Sequence, residues 1–199
     1  MGTSLGQYHS DNAEAQNIID NAYTVSNNDA ATSTEVAEAL SALNNLTLVI
    51  NQPVAGKLYR FKGHASGKYI CPTSTNTSDK MALDASSNKA ATVFMLVEGS
   101  TTGKFKLLNY KHGYYTQNTF GLGALKAAAE DIEFAGSTTN LGCYSMTSNY
   151  SGSKCFVDNT TVVDRRGTYN ANSCDWEIEE VTYLPLHPGE LPRHARRKP

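Results

Sequence analysis

The sequence predicts a mainly β protein in which one hairpin-bearing unit occurs three times, preceded by two short helices. The first unit opens at residues 56–70, GKLYRFKGHASGKYI, where aromatic and apolar residues alternate with polar ones around a turn rich in Gly and Ser. Related segments follow at residues 103–116 and 142–157. From residue 56 onward, clusters of turn-forming residues separate short segments of β-type residues, which is typical of an all-β sandwich or barrel.

The first 52 residues predict a helical hairpin and a linker. Asp11 is a candidate N-cap, and the apolar residues that follow it at helical spacing are Ala15, Ile18, Ile19 and Ala22. Residues 32–35, TSTE, form a capping box, and the stripe that follows it consists of Val36, Ala39, Leu40, Leu43 and Leu46. Both stripes are narrow, so we expect the two helices to pack against each other. Pro53 ends the helical part, because the residue before a proline is disfavoured in the α region.

The three units can be aligned strand by strand. Their first strands contain Tyr59, Phe105 and Tyr144, so the unit recurs after 46 and then 39 residues. The third strands are expected at residues 81–84, 123–126 and 162–165, and the aromatic residues that close the units are Phe94, Phe134 and Trp176. Three four-stranded units of about 40 residues are too few for a propeller. They have the size of a β-trefoil, in which six strands close a barrel and six form hairpins that cap one end.

One segment conflicts with this all-β interpretation. Residues 125–130, LKAAAE, have helical propensity. Because they lie inside the second unit, we interpret them as a strand or turn imposed by their context.

The segment LYRFKGHASGKYI at residues 58–70 resembles the YxIxNxxSGKxL opening of ricin-type (R-type lectin) β-trefoil repeats. The arrangement of residues 56–184 is similar to trefoil modules attached to secreted proteins of gut Bacteroidetes. In those proteins a short helical region precedes the trefoil, and the third repeat ends in a sequence like DWEIEEVTYLP at residues 175–185. The resemblance implies a lectin-like, carbohydrate-binding module of a larger exported bacterial protein, located outside the cell or on its surface.

The sequence departs from the ricin-type pattern where that family binds galactose. Ricin-type repeats usually close with Gln-x-Trp, and their galactose sites begin with an Asp in the first hairpin loop. Here Trp176 alone keeps the Trp, with Cys174 at the Gln position, and the hairpin loops contain no Asp. The sequence therefore speaks against a galactose site of the usual design.

Boundaries and charge organise the chain into three parts. We predict a helical hairpin and linker at residues 1–52, the trefoil at 53–186 and a disordered basic tail at 187–199. The net charge is −2; the tail carries +3, which leaves about −5 on the remainder. An acidic body disfavours nucleic acid as a partner.

No apolar run reaches the length of a membrane span. The first residues also lack the pattern of a signal peptide, so an exported parent would contain this chain as a mature or excised piece.

Sequence signals of catalysis and metal binding are missing. No nucleophile elbow, zinc-protease, phosphate-loop or dinucleotide motif occurs, and the histidines and cysteines are not at ligand spacing. We therefore predict a non-enzyme without cofactor or metal. The cysteines allow three disulfide pairings, and burial as free thiols is favoured over a bridge; their positions are Cys71, Cys143, Cys155 and Cys174.

Two polar and aromatic clusters are candidate ligand sites, because sugars combine an apolar face with hydroxyls that need planar hydrogen-bonding groups. The cluster of the second unit consists of Asn109, Tyr110, His112, Tyr114 and Asn118. The cluster of the third unit consists of Asp164, Arg165, Tyr169 and Asn170. The competing interpretation is that these residues form turns and fill the barrel.

At the level of function, two alternatives remain open. The first is a glycan-binding module that acts as a monomer, attached to a catalytic domain of the same parent protein. The second is a structural or protein-docking accessory domain without a sugar site.

Overall fold

The computed structural model describes residues 2–8, 13–46, 50–117, 120–148, 152 and 154–182. Contacts divide the chain into two compact units, with the division between residues 51 and 52. The candidate N-cap Asp11, the candidate ligand residue Asn118 and the predicted tail at 187–199 lie outside the described residues.

The N-terminal unit is the predicted helical hairpin. Helix α1 is Ala13–Ser26 and helix α2 is Ser33–Asn44. The capping box at the start of α2 is formed as predicted: the Thr32 hydroxyl accepts from the backbone N–H of Glu35 at 3.2 Å, and the Glu35 carboxylate accepts from the N–H of Thr32 at 2.8 Å.

The two helices pack against each other through a narrow interface. The buried side chains are small, Ala15 in α1 and Ala39 in α2. Larger apolar side chains stay exposed, most clearly Tyr23 at 73% and Leu40 at 55%. The stripes therefore hold the hairpin together only in part.

The second unit contains twelve strands in three repeats of four. The first repeat consists of β1 Leu58–Gly63, β2 Tyr69–Cys71, β3 Ala82–Asp84 and β4 Phe94–Glu98. The second consists of β5 Phe105–Asn109, β6 Tyr115–Thr116, β7 Leu122–Gly123 and β8 Ile132–Gly136. The third consists of β9 Tyr144–Ser148, β10 Lys154–Asp158, β11 Val163–Arg166 and β12 Asp175–Glu180.

In each repeat a short helical turn leads into the last strand. These turns are the 3-10 helices Ala90–Thr92 and Lys126–Ala128 and the short helix α3, Ala171–Cys174. The segment LKAAAE, for which the sequence left a strand or a turn open, thus contains a single helical turn and no strand.

Six strands close into a barrel in which every neighbouring pair is antiparallel. The pairs are β1–β4, β4–β5, β5–β8, β8–β9, β9–β12 and β12–β1. The other six strands form three hairpins, β2–β3, β6–β7 and β10–β11. The hairpins meet each other: the N–H of Met81 donates to the carbonyl of Phe120, and the N–H of Val163 donates to the carbonyl of Met81, both at 2.8 Å. This is the predicted β-trefoil.

The strand register corrects one alignment made from the sequence. Tyr59 pairs with Phe94 and Tyr144 pairs with Trp176, but Phe105 pairs with Ile132 rather than Phe134. Ile132 and Phe134 alternate with an exposed residue and both face the core, so the pattern alone could not distinguish them. Ile132 is the residue that closes the second repeat.

A second alignment shifts by three residues. Gly123 pairs with Tyr115 as Asp84 pairs with Tyr69, so the third strand of the second repeat precedes most of the predicted segment 123–126. The helical turn Lys126–Ala128 then occupies the place of Ala90–Thr92 in the first repeat.

A glycine with positive φ recurs at the same place in each repeat. A glycine with positive φ ends the turn of the first hairpin in each repeat, and these are Gly67 at +68°, Gly113 at +65° and Gly152 at +81°. The left-handed conformation costs other residues about 1 kcal/mol or more, which explains why the SG and HG signals recur.

Large side chains from all three repeats fill the barrel. Tyr144, Phe61 and Trp176 are fully buried. The indole N–H of Trp176 donates to the carbonyl of Phe156 at 3.2 Å, so the polar atom of this side chain is satisfied within the core.

Candidate functional site

A pocket of about 510 Å³ opens where the first repeat meets the first hairpin loop of the second. Its first side is the end of β2 and the residues after it, and its second side is the turn that leads to β4. The third side is the loop between β5 and β6. The lining residues are Cys71, Pro72, Thr73, Asp84, Asn88, Lys89, Ala90, Ala91, Lys111 and His112. We call it the inter-repeat pocket.

Lys89 and Asp84 form an ion pair in the lining of the inter-repeat pocket. The ammonium of Lys89 contacts the carboxylate of Asp84, and the N–H of Ser86 donates to the same carboxylate at 2.8 Å. The hydrogen bond between Lys89 and Asp84 lowers the pKa of the Asp84 carboxyl and raises the pKa of the Lys89 ammonium. Both groups are therefore charged at neutral pH.

His112 is held across the boundary between two repeats. Its Nε2 lies 3.2 Å from the carbonyl oxygen of Pro72, and its backbone N–H donates to the side chain of Asn109 at 3.2 Å. Because a carbonyl only accepts, Nε2 carries the proton and Nδ1 is the ring atom left for a ligand. His112 is the one predicted site residue that lines the pocket.

The other described residues of the second-repeat cluster do not line the inter-repeat pocket. Asn109 is fully buried, and its amide donates to the carbonyls of Ala91 at 2.7 Å and Val93 at 3.4 Å, so it fixes the hairpin to the first repeat. Tyr110 and Tyr114 are half-buried and do not line the inter-repeat pocket.

Tyr169 and Asn170 of the third-repeat cluster serve a buried carboxylate and a helix cap. The Tyr169 hydroxyl donates to Asp175 at 2.6 Å, and Asp175 also accepts from Ser137 at 2.5 Å and Asn140 at 2.9 Å. Asn170 is the N-cap of α3. The exposed ring of Tyr169 is thus held in place, but its hydroxyl is used by the protein.

Asp164 and Arg165 are held by other partners. Asp164 is 2.9 Å from Lys80, whose hydrogen bond lowers the pKa of Asp164. The Arg165 guanidinium lies 5.7 Å from the centre of the Phe120 ring, a cation–π contact. These partners differ from those of Tyr169 and Asn170.

Sequence reasoning missed the polar residues that share the pocket with His112. Asp84 ends a predicted strand, and Ser and Asn at 86–88 are typical of turns, so neither segment indicates a ligand site. The pocket also contains Lys89 and Lys111. The residues of the first repeat become neighbours of His112 only when the second repeat packs on the first, and no local pattern indicates that.

Glu130 is a buried carboxyl group without a hydrogen-bond partner. Both of its carboxylate oxygens and the hydroxyl of Ser148 are buried and unpaired within the described structure. Burial raises the pKa of Glu130 to about 7, and the positive charge of Arg165 limits this rise.

A Cys, a His and a Glu lie close together on the barrel, but they do not make an activated nucleophile. The sulfur of Cys143 is 3.6 Å from Nδ1 of His64, which is 3.7 Å from the carboxylate of Glu177. The same ring nitrogen faces both groups, whereas a relay needs one nitrogen for each. Burial raises the pKa of Cys143 to about 11, so the thiol stays protonated at neutral pH.

The described parts of the chain contain neither a metal site nor a membrane-spanning helix. No group of three or more His, Cys, Asp or Glu side chains has the arrangement of a metal site there. No helix in those parts is both long and apolar enough to span a membrane.

Comparisons with known proteins support the fold through structure rather than sequence. No protein-family model matches the chain, and no curated protein matches it significantly. The solved structures it resembles include the β-trefoil BEL in an apo crystal form, with a TM-score of 0.56 and 17% identity over 66% of this chain and 97% of that one. SeviL bound to the asialo-GM1 saccharide gives a TM-score of 0.53 at 8% identity, over 64% of this chain and 98% of that one.

A larger protein contains a similar domain. The endo-β-galactosidase from Clostridium perfringens that releases GlcNAcα1-4Gal gives a TM-score of 0.53 at 14% identity, over 66% of this chain and 34% of the enzyme. At these identities the likeness establishes architecture. The described part of residues 52–182 is a β-trefoil.

Proposed function

We propose that this protein is a non-catalytic, lectin-like module that binds a glycan in the inter-repeat pocket. The pocket itself is the observation that carries the proposal: it is open, has a volume of about 510 Å³ and brings polar groups from two repeats together. A pocket of this size accommodates one or two sugar rings.

The groups in the pocket suit sugar hydroxyls. Asp84 offers carboxylate oxygens as acceptors, Lys89 and Asn88 offer N–H donors, and Nδ1 of His112 faces no protein partner in the described structure. Hydroxyl groups both donate and accept, so a mixed set of this kind can satisfy several of them at once. SeviL, which has the same fold, is bound to a saccharide in its solved structure.

We extend the proposal to the setting of the module. A helical hairpin followed by a trefoil suits an accessory, monomeric domain of a larger exported protein, where it would hold a catalytic domain near its glycan by avidity. The endo-β-galactosidase, of which the trefoil-like region is about a third, shows one such combination of domains.

A glycan array followed by affinity electrophoresis tests the proposal. We expect binding to at least one mucin or plant glycan, and we expect His112→Ala and Asn88→Ala each to weaken it about tenfold through the loss of one hydrogen bond to a pocket ligand. Asn172→Ala, an exposed asparagine of the third repeat, is the matched control and should bind as the wild type does. Binding that survives both pocket variants would exclude this site, and binding to no glycan would exclude the function.

The alternative function is a structural or protein-docking accessory domain. The exposed Tyr23 and Leu40 of the helical hairpin favour it. It becomes the preferred interpretation if no glycan binds.

A further inference from the structure

We infer that the inter-repeat pocket takes an acidic saccharide, one that bears a carboxylate or a sulfate, rather than a neutral sugar. This inference rests on the proposed glycan-binding function and narrows its ligand class. It follows from the charges of Asp84, Lys89 and Lys111, taken with the charge of the whole chain.

The charges in the pocket do not cancel. The carboxylate of Asp84 is already neutralised by Lys89 and accepts a backbone N–H as well. Lys111 lines the same pocket and has no ion-pair partner within the described structure. A ligand that enters therefore meets a net positive charge.

The charges of Lys89 and Lys111 both affect Cys71 in the wall of the pocket. Burial and the Asp84 carboxylate raise the pKa of the Cys71 thiol, and the ammonium groups of Lys89 and Lys111 both oppose this rise. Lys89 and Lys111 line the same pocket as Cys71. An anionic group beside Cys71 would be attracted by both of them.

Composition alone does not explain this local charge. Outside the predicted tail the chain carries about −5, so a pocket with an excess of lysine is unlike the rest of the protein. The acidic surroundings would also repel long polyanions such as nucleic acids, while a single sulfate or carboxylate on a sugar can enter. The pocket is the right size for one such unit, because its volume is about 510 Å³.

The donors have complementary tasks in this arrangement. Lys111 supplies a charge-assisted hydrogen bond to the anionic group, and the ring of His112 and the amide of Asn88 contact the neutral hydroxyls. The Lys89–Asp84 pair keeps one acceptor in place for a hydroxyl. An acidic sugar would use the lysine that the protein does not pair.

The experiment measures the full chain against matched pairs of glycans, each pair identical except for one sulfate or carboxylate. Lactose with lactose 3′-sulfate is one such pair, and a methyl glucoside with the corresponding methyl glucuronide is another. We expect the acidic members to bind about tenfold more tightly at low ionic strength, and the difference to shrink as salt is added.

Lys111→Gln identifies the residue responsible. It should remove most of the preference for acidic members, while Lys111→Arg should keep the preference. Lys126→Gln, an exposed lysine of the second repeat that does not line the pocket, is the control.

The outcomes separate this inference from the proposed function. Equal affinity for both members of every pair would overturn the acidic ligand and leave glycan binding intact. Binding to no glycan would overturn both. Inorganic sulfate that competes as well as a sulfated glycan of the same concentration would show an anion site without sugar recognition, which also overturns the inference.

Discussion

Glu130 shows how a single residue of the repeat can differ from its counterparts. The register places Thr92, Glu130 and Cys174 at equivalent positions, each two residues before the residue that closes its repeat. Thr92 is hydrogen-bonded to the carbonyl of Lys89 at 2.7 Å, and Cys174 accepts from the N–H of Asn170 at 3.4 Å. Glu130 is the one of the three that buries an unpaired carboxyl group.

The buried Glu130 makes stability depend on pH. Its pKa is about 7 in the folded protein, against an ordinary value of 4.5. Below pH 4.5 the Glu130 carboxyl is protonated in both the folded and the unfolded protein, so its burial does not penalise folding. As the pH rises from about 4.5 through 7, the carboxyl ionises first in the unfolded protein, and the free energy of unfolding falls. The shift corresponds to about 3 kcal/mol.

Glu130→Gln should therefore gain stability relative to the wild type by up to about 3 kcal/mol between pH 4.5 and pH 8. Urea unfolding across this pH range measures the difference. Glu133→Gln in the following strand β8 is the control, because its side chain is 56% exposed and pairs with Lys104 at the surface. A constant difference between Glu130→Gln and the wild type at all pH values would show that Glu130 does not titrate as described.

The four cysteines give a second prediction at the residue scale. All are free and buried in the structure, and burial raises the pKa of Cys71, Cys143 and Cys155. We expect a chromogenic disulfide reagent at pH 8 to label the native protein very slowly and to detect all four thiols in denaturant, because only the thiolate reacts. Rapid labelling of the native protein would contradict the burial, and fewer thiols in denaturant would indicate a disulfide.

At the scale of elements, the turns that join barrel strands are fixed by carboxylates at equivalent positions. Asp131 accepts from the N–H of Ser100 at 2.9 Å and from Lys106 at 3.0 Å. Asp175 accepts from Ser137 and Asn140 in the corresponding turn of the next repeat. Each aspartate precedes or begins the last strand of its own repeat and reaches the turn that opens that repeat, so it links the two ends of the unit.

Gly67 and Gly121 are needed for different reasons: Gly67 for its positive φ, and Gly121 for the lack of space for a side chain. Gly67 has φ of +68° and open space around an added Cβ, whereas a Cβ at Gly121 would lie 2.6 Å from the carbonyl oxygen of Asp79. We expect Gly67→Ala to cost about 1 kcal/mol from backbone strain and Gly121→Ala to cost about 3 kcal/mol, since backbone must move.

Urea denaturation of both variants measures these costs. Gly67→Asn is the control for the first, because asparagine tolerates the left-handed region and should lose less than alanine. Equal losses for the two alanine variants would contradict the steric role assigned to Gly121.

For the whole molecule, closure of the barrel ties the last repeat to the first. Strand β12 pairs with β1, where Tyr59 faces Glu180 and Gly63 faces Trp176, and it also pairs with β9. Without β12 both neighbours would have an open edge, and the core would lose the fully buried Trp176.

A chain that ends after residue 170 should therefore lack a cooperative thermal transition. Near-ultraviolet circular dichroism on heating is the measurement. A chain that ends after residue 186, which removes only the predicted tail, is the control and should melt as the full chain does. A sharp transition in the shorter chain would show that two repeats and part of the third form a stable structure without closure.

The sequence predicted the elements well where the signal is local. The alternation around Tyr59, the glycine of the SGK turn and the capping box at Thr32 each depend on neighbours within a few residues, and the structure has the hairpin, the positive φ and the cap in those places. The count of strands per repeat followed from the spacing of these signals. The alignment failed where two solutions satisfy the same alternation, as at Ile132 and Phe134.

Turn chemistry and strand periodicity depend on neighbouring residues, so the sequence alone indicates a three-fold β structure preceded by a helical hairpin. Which polar residues meet depends instead on how the repeats pack. His112 was predicted among neighbours in its own hairpin, but it shares a pocket with Asp84 and Lys89 of the preceding repeat. The physical reason is closure: packing one repeat against the next brings together side chains that lie more than twenty residues apart in the sequence, and that distance carries no local signal.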